Sequence, residues 1–266
     1  MNETKNERKR GNSMGFKIIY EPSGRAKEYA DFALNIYSSC NFGCRYCYVP
    51  NVLHRDRKEF HNILKSRDEV LKKAEHDAAA AAGKKVLLCF TCDPYQSIDD
   101  DLQLTRKVME IFNQYGVNWT VLTKAGEKAR RDFDLYKAGD SFGCTLTFSS
   151  ANDSVKWEPE AALPYSRVEA LFDAHNRGIR TWVSMEPTID PEQTLRLIEI
   201  SYPWVDLFKI GKLNSENSRG SAFYDELKAI EKSIDWKNFG QQAESLLKRL
   251  GKEYYIKDDL RREMEK

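Results

Sequence analysis

Three cysteines lie close together in the first fifth of the sequence, in the order C-x3-C-x2-C. They are Cys40, Cys44 and Cys47; Gly43 lies between the first two, and the loop follows a short apolar run. Three thiolates in one tight loop can converge on a metal centre, but they are too few to complete a closed site. A [4Fe-4S] cluster usually takes four thiolates, so three leave one iron free to bind a small molecule. The spacing therefore indicates a cluster with one open coordination position.

A structural zinc site is the alternative chemistry for these cysteines. Zinc in such sites is four-coordinate, and His54 is the one further ligand close by in the sequence. C-x3-C-x2-C-x6-H is not a common zinc spacing. Ordinary buried cysteines are a further alternative, although Gly43 and the neighbouring tyrosines favour a shaped loop over a core element.

The triplet, with Tyr46 directly before the last cysteine, resembles the motif of the radical S-adenosylmethionine (radical SAM) superfamily. The resemblance implies a [4Fe-4S] cluster on the three cysteines, whose unique iron binds S-adenosylmethionine, with the adenine near the backbone of Tyr46. One electron would cleave S-adenosylmethionine to methionine and a 5′-deoxyadenosyl radical that abstracts hydrogen from a substrate. The cofactors carry this chemistry, and the protein positions them. An electron donor such as flavodoxin or ferredoxin is implied as a partner.

Further blocks resemble the spore photoproduct lyase-like branch of that superfamily. They lie at residues 91–96 with 104–106, 123–124 with 131–132, 145–147, and 158–159 leading into 167. This resemblance matches Lys124 and Thr145 to positions that contact S-adenosylmethionine. It also favours a nucleic-acid substrate, with Trp157, Arg167 and Arg177 as candidate outer contacts. The branch's hydrogen-donating cysteine has no counterpart between residues 48 and 88, so repair of a thymine dimer is not expected.

The composition is that of a globular protein with one sizeable core. The 266 residues are 41% hydrophobic, and 42 Lys and Arg against 41 Asp and Glu leave a net charge of +1. This balance argues against a surface dominated by nucleic-acid electrostatics but leaves room for a local basic groove. Six cysteines without a secretory signal or a long apolar run predict a cytoplasmic, oxygen-sensitive monomer that does not enter a membrane.

The remaining sequence alternates apolar runs with longer charged segments, which is typical of βα units around a parallel sheet. Six strands are predicted, at residues 32–37, 85–91, 118–123, 142–148, 180–185 and 206–210, with helices that include 67–82, 102–115 and 238–250. The predicted fold is α/β: a partial (β/α)6 TIM-like barrel with parallel strands and a C-terminal helical cover. Residues 1–15 are expected to be a disordered tail, and residues 16–266 a single domain with a C-terminal extension over about 216–266.

Parallel barrels place their functional groups at the carboxyl ends of the strands. Candidate cofactor-binding residues at these ends and in the cysteine loop are Tyr46, Thr91, Asp93, Lys124, Thr145, Thr147, Glu186 and Gly211. Each also has an ordinary alternative. Asp93 can simply form a turn with Pro94, Glu186 can be a salt-bridge partner, and lysines mostly lie on solvated surfaces.

Cys92, after the second predicted strand, is the candidate catalytic residue. A buried cysteine is usually a small hydrophobe, but at this rim it could donate a hydrogen atom to a product radical or ligate a second metal. Two non-catalytic functions stay open: a zinc-stabilised nucleic-acid-binding module and an iron-sulfur redox sensor. The series of polar strand ends favours the enzyme over both.

Overall fold

The computed structural model describes residues 15–266, and its central feature in that range is a sheet of seven parallel strands. The strands are β1 (Phe32–Leu34), β2 (Lys85–Leu88), β3 (Asn118–Thr123), β4 (Ser141–Thr145), β5 (Arg180–Thr188), β6 (Leu207–Lys212) and β7 (Glu253–Ile256). Each strand pairs with the next one in the chain, and within the described range β1 and β7 are not joined. The predicted α/β partial barrel is therefore confirmed.

Helices connect the strands and cover the outside of the sheet. They are α1 (Val49–Val52), α2 (Arg57–Asn62), α3 (Val70–Ala78), α4 (Ser97–Leu102), α5 (Leu104–Tyr115), α6 (Ala151–Trp157), α7 (Pro164–Asn176), α8 (Pro191–Ser201), α9 (Tyr224–Ser233), α10 (Trp236–Arg249) and α11 (Asp258–Met264). Short 3-10 turns occupy Gly24–Glu28, Gly126–Leu135, Tyr202–Trp204 and Ser215–Ser218. No helix within residues 15–266 is long and apolar enough to cross a lipid bilayer.

Alternate residues of the strands contribute to two separate apolar clusters, as expected for a parallel sheet buried on both faces. Val86 and Leu88 of β2 belong to the large cluster that includes the helices. Leu87, which lies between them, belongs to a small cluster with Ala33 and Trp182. This alternation fixes which strand residues point into the barrel.

The structure contains a seventh strand that the sequence analysis did not predict. Residues 253–256 were expected to belong to the C-terminal cover, but they pair in parallel with β6, where Tyr254 lies opposite Phe208. The strand is four residues long and only Ile256 is fully buried, so its apolar pattern is weak. The helix predicted at 102–115 corresponds to α5, which begins at Leu104 because Gln103 adopts a left-handed φ of 47° and separates it from α4. The tail predicted for residues 1–15 lies outside the described residues, apart from residue 15.

Residues 20–29, which we call the strap, span the gap between β1 and β7. At one end, Tyr20 forms an antiparallel bridge with Ala33 of β1. At the other end, Arg25 lies 2.5 Å from a carboxylate oxygen of Asp259, and Glu28 accepts a 2.8 Å hydrogen bond from the first backbone N–H of α11. The strap therefore links the two ends of the open sheet, and its Tyr29 packs on Trp182 of β5.

Candidate active site

The cysteine loop connects β1 to α1 and brings the three predicted ligands to one end of the sheet. Cys44 is buried, Cys40 and Cys47 are half-buried, and all three are free thiols. Burial raises the pKa of each thiol, and Asp93 together with the other two cysteines raises that of Cys40 further, so these groups lie close together. The loop is therefore a shaped element with three available sulfurs.

The zinc alternative lacks its fourth ligand. His54, the further ligand that a zinc site would need, is exposed, with a left-handed φ of 52°. Among residues 15–266, no group of three or more His, Cys, Asp or Glu side chains is placed to hold one metal ion. The thiolates of a [4Fe-4S] cluster bind separate irons, so they do not need the close spacing of a mononuclear site.

A buried polar network supports the cysteine loop. Tyr46 donates a hydrogen bond to Glu158, and its hydroxyl lies 3.3 Å from Oγ1 of Thr147. Glu158 pairs with Arg167 at 2.5 Å, and both side chains are at most 1% exposed. Arg167 also donates to the backbone carbonyl of Thr145 at 3.0 Å. The network thus brings together Tyr46, Thr145 and Thr147, three of the predicted cofactor-binding residues.

Local sequence places the two charges of this network. Ser150 caps α6 by accepting from the backbone N–H of Asp153, and Glu158 follows directly after this helix. α7 begins at Pro164, because proline lacks an N–H and the first N–H groups of a helix have no partner within the helix. Arg167 therefore lies in the first turn of α7. Burial works to raise the pKa of Glu158, but the nearby Arg167 and Lys124 outweigh it, so that the pKa lies below its ordinary value.

Lys124 follows β3 and places its ammonium beside the loop, 5.7 Å from the centre of the Tyr46 ring. Apart from that ring contact, the ammonium has no hydrogen-bond or ion-pair partner within residues 15–266. After burial, Lys124 is the largest influence on the pKa of Cys44, which it works to lower. An unpaired ammonium at this place suits a ligand carboxylate.

Asp93 and Thr91 follow β2 and differ in whether their side-chain oxygens already have hydrogen-bond partners in the protein. Asp93 is buried and accepts hydrogen bonds from the Thr123 hydroxyl and the Lys124 backbone, both at 2.7 Å, and from the Tyr95 backbone at 2.9 Å. It therefore joins the ends of β2 and β3 and forms the turn that was its alternative role. In contrast, Oγ1 of Thr91 is buried without a hydrogen-bond partner among the described residues.

Glu186 and Gly211 lie on β5 and β6, in an ionic cluster with the strap. Glu186 accepts from the Tyr29 hydroxyl at 2.7 Å and from Nζ of Lys257 at 2.6 Å, and it also pairs with Arg25. A Cβ added to Gly211 would lie 2.9 Å from Cδ of Glu186 and 3.0 Å from Cδ of Lys257. Gly211 thus leaves room for this ion pair, and Glu186 has the salt-bridge role.

Lys257, which is not among the predicted site residues, is the buried cation of this cluster and is only 1% exposed. Its one sequence signal is a lysine directly after an apolar run, at Ile256, but that run was not identified as a strand. The partners of Lys257 are Glu186 and Glu28, which lie far away in the sequence. Such pairing is visible only after the sheet has been assembled.

Cys92 is 8% exposed and lies beside Cys89, within hydrogen-bonding reach of it. Burial raises the pKa of the Cys92 thiol well above its ordinary value, and Cys89 raises it further. Burial and the neighbouring thiol therefore both favour the neutral form of Cys92.

The expected outer contacts for nucleic acid are wrong for two of three residues. Arg167 and Trp157 are 1% and 3% exposed, because they belong to the network and the core behind the cysteine loop. Arg177, at the end of α7, is exposed. The sequence around Arg167 is polar, so the residue was predicted to lie on the surface, but in the fold it is buried with its partner Glu158.

The C-terminal segment contacts the cysteine loop, as a cover would. Ser218 donates to the backbone carbonyl of Tyr46 at 2.8 Å, and Ser221 donates to that of Arg45 at 2.7 Å. The guanidinium of Arg45 lies over the ring of Phe223, 4.2 Å from its centre. These contacts hold the loop by its backbone at Arg45 and Tyr46, and Phe223 also packs against the ring of Trp157.

An open parallel barrel whose first strand leads into a loop with three free cysteines defines a class of cofactor-dependent barrel proteins. The model of the Radical SAM superfamily matches residues 34–201 of this chain, which include that loop and strands β2 to β5. The chain belongs to the radical SAM superfamily. This membership supports radical SAM catalysis with S-adenosylmethionine, for which the superfamily typically uses a [4Fe-4S] cluster and a reductant.

Two relatives are similar in sequence. An uncharacterized protein of Methanocaldococcus jannaschii is 25% identical over 213 residues, which cover 74% of this chain and 76% of the relative. An uncharacterized protein of Acidianus two-tailed virus is 28% identical over 194 residues, which cover 66% of this chain and 63% of the viral protein.

Solved structures show the same fold. A spore photoproduct lyase variant matches with a TM-score of 0.63 and 13% identity, over 89% of this chain and 78% of the lyase chain. Another lyase variant, with AdoMet and a dinucleoside spore photoproduct bound, gives a TM-score of 0.62. SuiB of Streptococcus suis, bound to S-adenosylmethionine, gives 0.57 at 12% identity, over 84% of this chain and 49% of SuiB.

Replacing Glu158 by Gln should leave the buried Arg167 without a charged partner. We expect the free energy of unfolding at neutral pH to fall by about 3–5 kcal/mol. Because the folded-state pKa of Glu158 lies below its ordinary value of 4.5, the pair stabilises the protein above that pH. Its contribution should be lost as the pH falls through the folded-state pKa. Urea unfolding of both proteins between about pH 3 and about pH 7, on either side of that ordinary value, measures this.

Glu253→Gln is the matched control, since Glu253 forms an exposed pair with Arg180 at 2.5 Å. This change should cost at most about 1 kcal/mol. Equal losses for the two variants, or a Glu158→Gln deficit that grows on acidification, would contradict the structural role of the buried pair.

Proposed function

We propose that this chain is an enzyme that reductively cleaves S-adenosylmethionine at a [4Fe-4S] cluster on Cys40, Cys44 and Cys47. The observation that carries the proposal is the placement of these three free thiols beside the unpaired ammonium of Lys124. When bound, the cluster supplies the electron that cleaves S-adenosylmethionine, and the resulting 5′-deoxyadenosyl radical takes hydrogen from a substrate.

The residues of this chain bind and orient the ligand. Lys124 is placed to pair with the methionine carboxylate, and the unpartnered Oγ1 of Thr91 to accept from the methionine amino group. Thr145, at the end of β4, is a candidate contact for the ligand ribose or carboxylate. Tyr46 is held by its hydroxyl, so its backbone offers a fixed edge near the adenine.

The other predicted contacts act by positioning. Asp93 accepts hydrogen bonds from Thr123 and Lys124 at the end of β3. The Thr147 hydroxyl is within hydrogen-bonding distance of the Tyr46 hydroxyl. Glu186 and Gly211 serve the ionic cluster with Lys257. We assign these four residues to holding the rim in shape rather than to contacting the ligand.

A small electron-transfer protein such as flavodoxin or ferredoxin is the proposed reductant. The six free cysteines of the described residues suit a reducing cytoplasm, where such donors and thiols persist. For the substrate we favour nucleic acid, supported by the lyase-like blocks of the sequence and by the fold shared with spore photoproduct lyase.

The decisive experiment is anaerobic reconstitution with iron and sulfide, reduction with dithionite, and electron paramagnetic resonance with and without S-adenosylmethionine. A reduced-cluster signal that changes when the ligand is added, together with release of 5′-deoxyadenosine, is the expected result. A cluster signal without 5′-deoxyadenosine would favour the redox sensor. A colourless protein with stoichiometric zinc would favour the nucleic-acid-binding module.

Cys44→Ala should abolish cluster binding, because two thiolates cannot hold the cubane. Wild type is expected to take up about four irons per chain and the variant close to none. Cys144→Ala is the control, since Cys144 is a fully buried cysteine of β4 outside the loop and should retain its iron. Iron and sulfide analysis after reconstitution decides the matter, and normal loading of Cys44→Ala would refute the ligand assignment.

Lys124→Met should weaken binding of S-adenosylmethionine by about tenfold or more, as expected for a lost charge-assisted contact. Iron content should stay unchanged. Equilibrium dialysis of the reconstituted protein measures the affinity, and Lys128→Met, which removes an exposed ammonium paired with Asp100, is the control. If both variants bind the ligand like wild type, Lys124 has no role in ligand binding.

Cys92→Ala separates a hydrogen donor from a core filler. A donor's loss should change the product formed from an oligonucleotide substrate while dithionite-driven release of 5′-deoxyadenosine continues. Chromatography of both products makes the comparison, with Cys89→Ala as the control for loss of a neighbouring buried thiol. An unchanged product would make Cys92 a packing residue.

A further inference from the structure

A cavity of about 490 Å³ lies outside the cysteine loop, where the segment before the strap passes residues 65–68 and the start of α3. It is lined by Phe16, Lys17, Ile18, Ile19, Tyr20, Glu21, Ser38, Lys65, Ser66, Arg67, Asp68 and Lys73. Four of these side chains are cationic and two are acidic. In a chain whose net charge is +1, this is a local concentration of positive charge.

Arg67 is the residue that marks the cavity as a binding site. Its Nε is buried without a hydrogen-bond partner, and the guanidinium forms no ion pair with any other residue in the range 15–266. A buried donor without an acceptor costs free energy, and such groups are uncommon in folded proteins. The planar guanidinium presents its donors in a fork that matches the oxygens of a phosphate.

The acidic residue nearest in sequence does not neutralise Arg67. Asp68 lies 3.9 Å from Nζ of Lys65, and both of these side chains are largely exposed, so that pair is weak. Lys73 uses its ammonium on the backbone carbonyl of Asp68, at 3.0 Å. The carboxylate of Glu69 also lies near Lys73 and Lys17, and both help to lower its pKa. Arg67 is therefore the cation of this cavity that remains for an anion, with the lysines around it.

The cavity is held in place by the end of β1. The backbone N–H of Arg67 donates to the carbonyl of Ile36 at 3.0 Å, and Ser66 forms an antiparallel bridge with Tyr37. Fixing the arginine before a ligand arrives lowers the ordering cost of binding.

The cavity also adjoins the rim after β2. Tyr20 lines it, and the Tyr20 hydroxyl accepts a 2.8 Å hydrogen bond from the side-chain amide of Asn35. The amide oxygen of Asn35 in turn accepts from the backbone N–H groups of Phe90 and Thr91, at 2.8 and 2.9 Å. A single side chain, Asn35, thus connects the cavity wall to the strand end that carries Thr91.

We propose that this cavity binds a phosphate group, with the guanidinium of Arg67 as its central contact and Lys17, Lys65 and Lys73 around it. The phosphate belongs either to a free nucleotide or to the backbone of a single-stranded nucleic acid. The proposal does not depend on cluster chemistry, because it concerns binding alone.

The test is binding of two probes to the reconstituted full chain. Thymidine 5′-monophosphate is titrated by calorimetry, and a fluorescently labelled single-stranded oligothymidylate by anisotropy, each with inorganic phosphate as competitor. Arg67→Gln removes the proposed contact without breaking a protein hydrogen bond, and Lys65→Gln changes a side chain that is 64% exposed, so folding is not at risk. Arg262→Gln, which removes an exposed arginine of α11, is the matched control.

Arg67→Gln is expected to weaken probe binding by about tenfold or more and Lys65→Gln by less, while Arg262→Gln has no effect. Weaker mononucleotide binding identifies a free nucleotide as the source of the phosphate. Weaker binding of the oligonucleotide alone, with a salt slope reduced by about one, identifies a strand. Absence of saturable binding, or equal affinities of Arg67→Gln and Arg262→Gln for both probes, would overturn the proposal whether or not the protein releases 5′-deoxyadenosine.

Discussion

The ion pair between Glu158 and Arg167 is the interaction on which the arrangement of the cysteine loop depends. Both charges are out of water, where a pair survives only when its geometry is good and its remaining hydrogen bonds are satisfied. Here these bonds go to Tyr46 in the loop and to the carbonyl of Thr145 at the end of β4. One pair of charges therefore fixes the cysteine loop to the sheet, and the sulfurs and the strand ends take their positions together.

A second set of charges organises the other half of the rim. Lys257 and Arg25 gather around Glu186, and Gly211 leaves the space that this cluster fills. The two sides of the barrel mouth thus differ in character: around Lys124 and Thr91 polar groups remain without protein partners, whereas around Glu186 they are paired with one another. The ligand contacts proposed above lie near Lys124 and Thr91, and the ion pairs of the strap lie around Glu186.

Features that arise from residues close together in the sequence could be predicted. Contacts between residues far apart in the sequence could not. The three cysteines, the first six strands and the polar groups that follow them are local patterns, so the fold class and the superfamily could be predicted from the sequence. The partners of Glu186 are more than 70 residues away from it, at positions 257 and 25, and no local pattern connects them. The short strand β7 and the burial of Arg167 likewise depend on neighbours that only the folded chain supplies.

The strap has a consequence for the order in which the molecule is completed. Glu28 accepts a hydrogen bond from the backbone N–H of Asp258, 230 residues later in the chain. During translation, Glu28 is therefore synthesised long before its partner. Contacts of such high sequence separation also close late, because they must overcome the entropy of a long loop. Until then the side of the barrel between β1 and β7 stands open. The nascent chain therefore passes through a stage in which the cysteine loop is already synthesised and the contact between the strap and α11 has not yet formed.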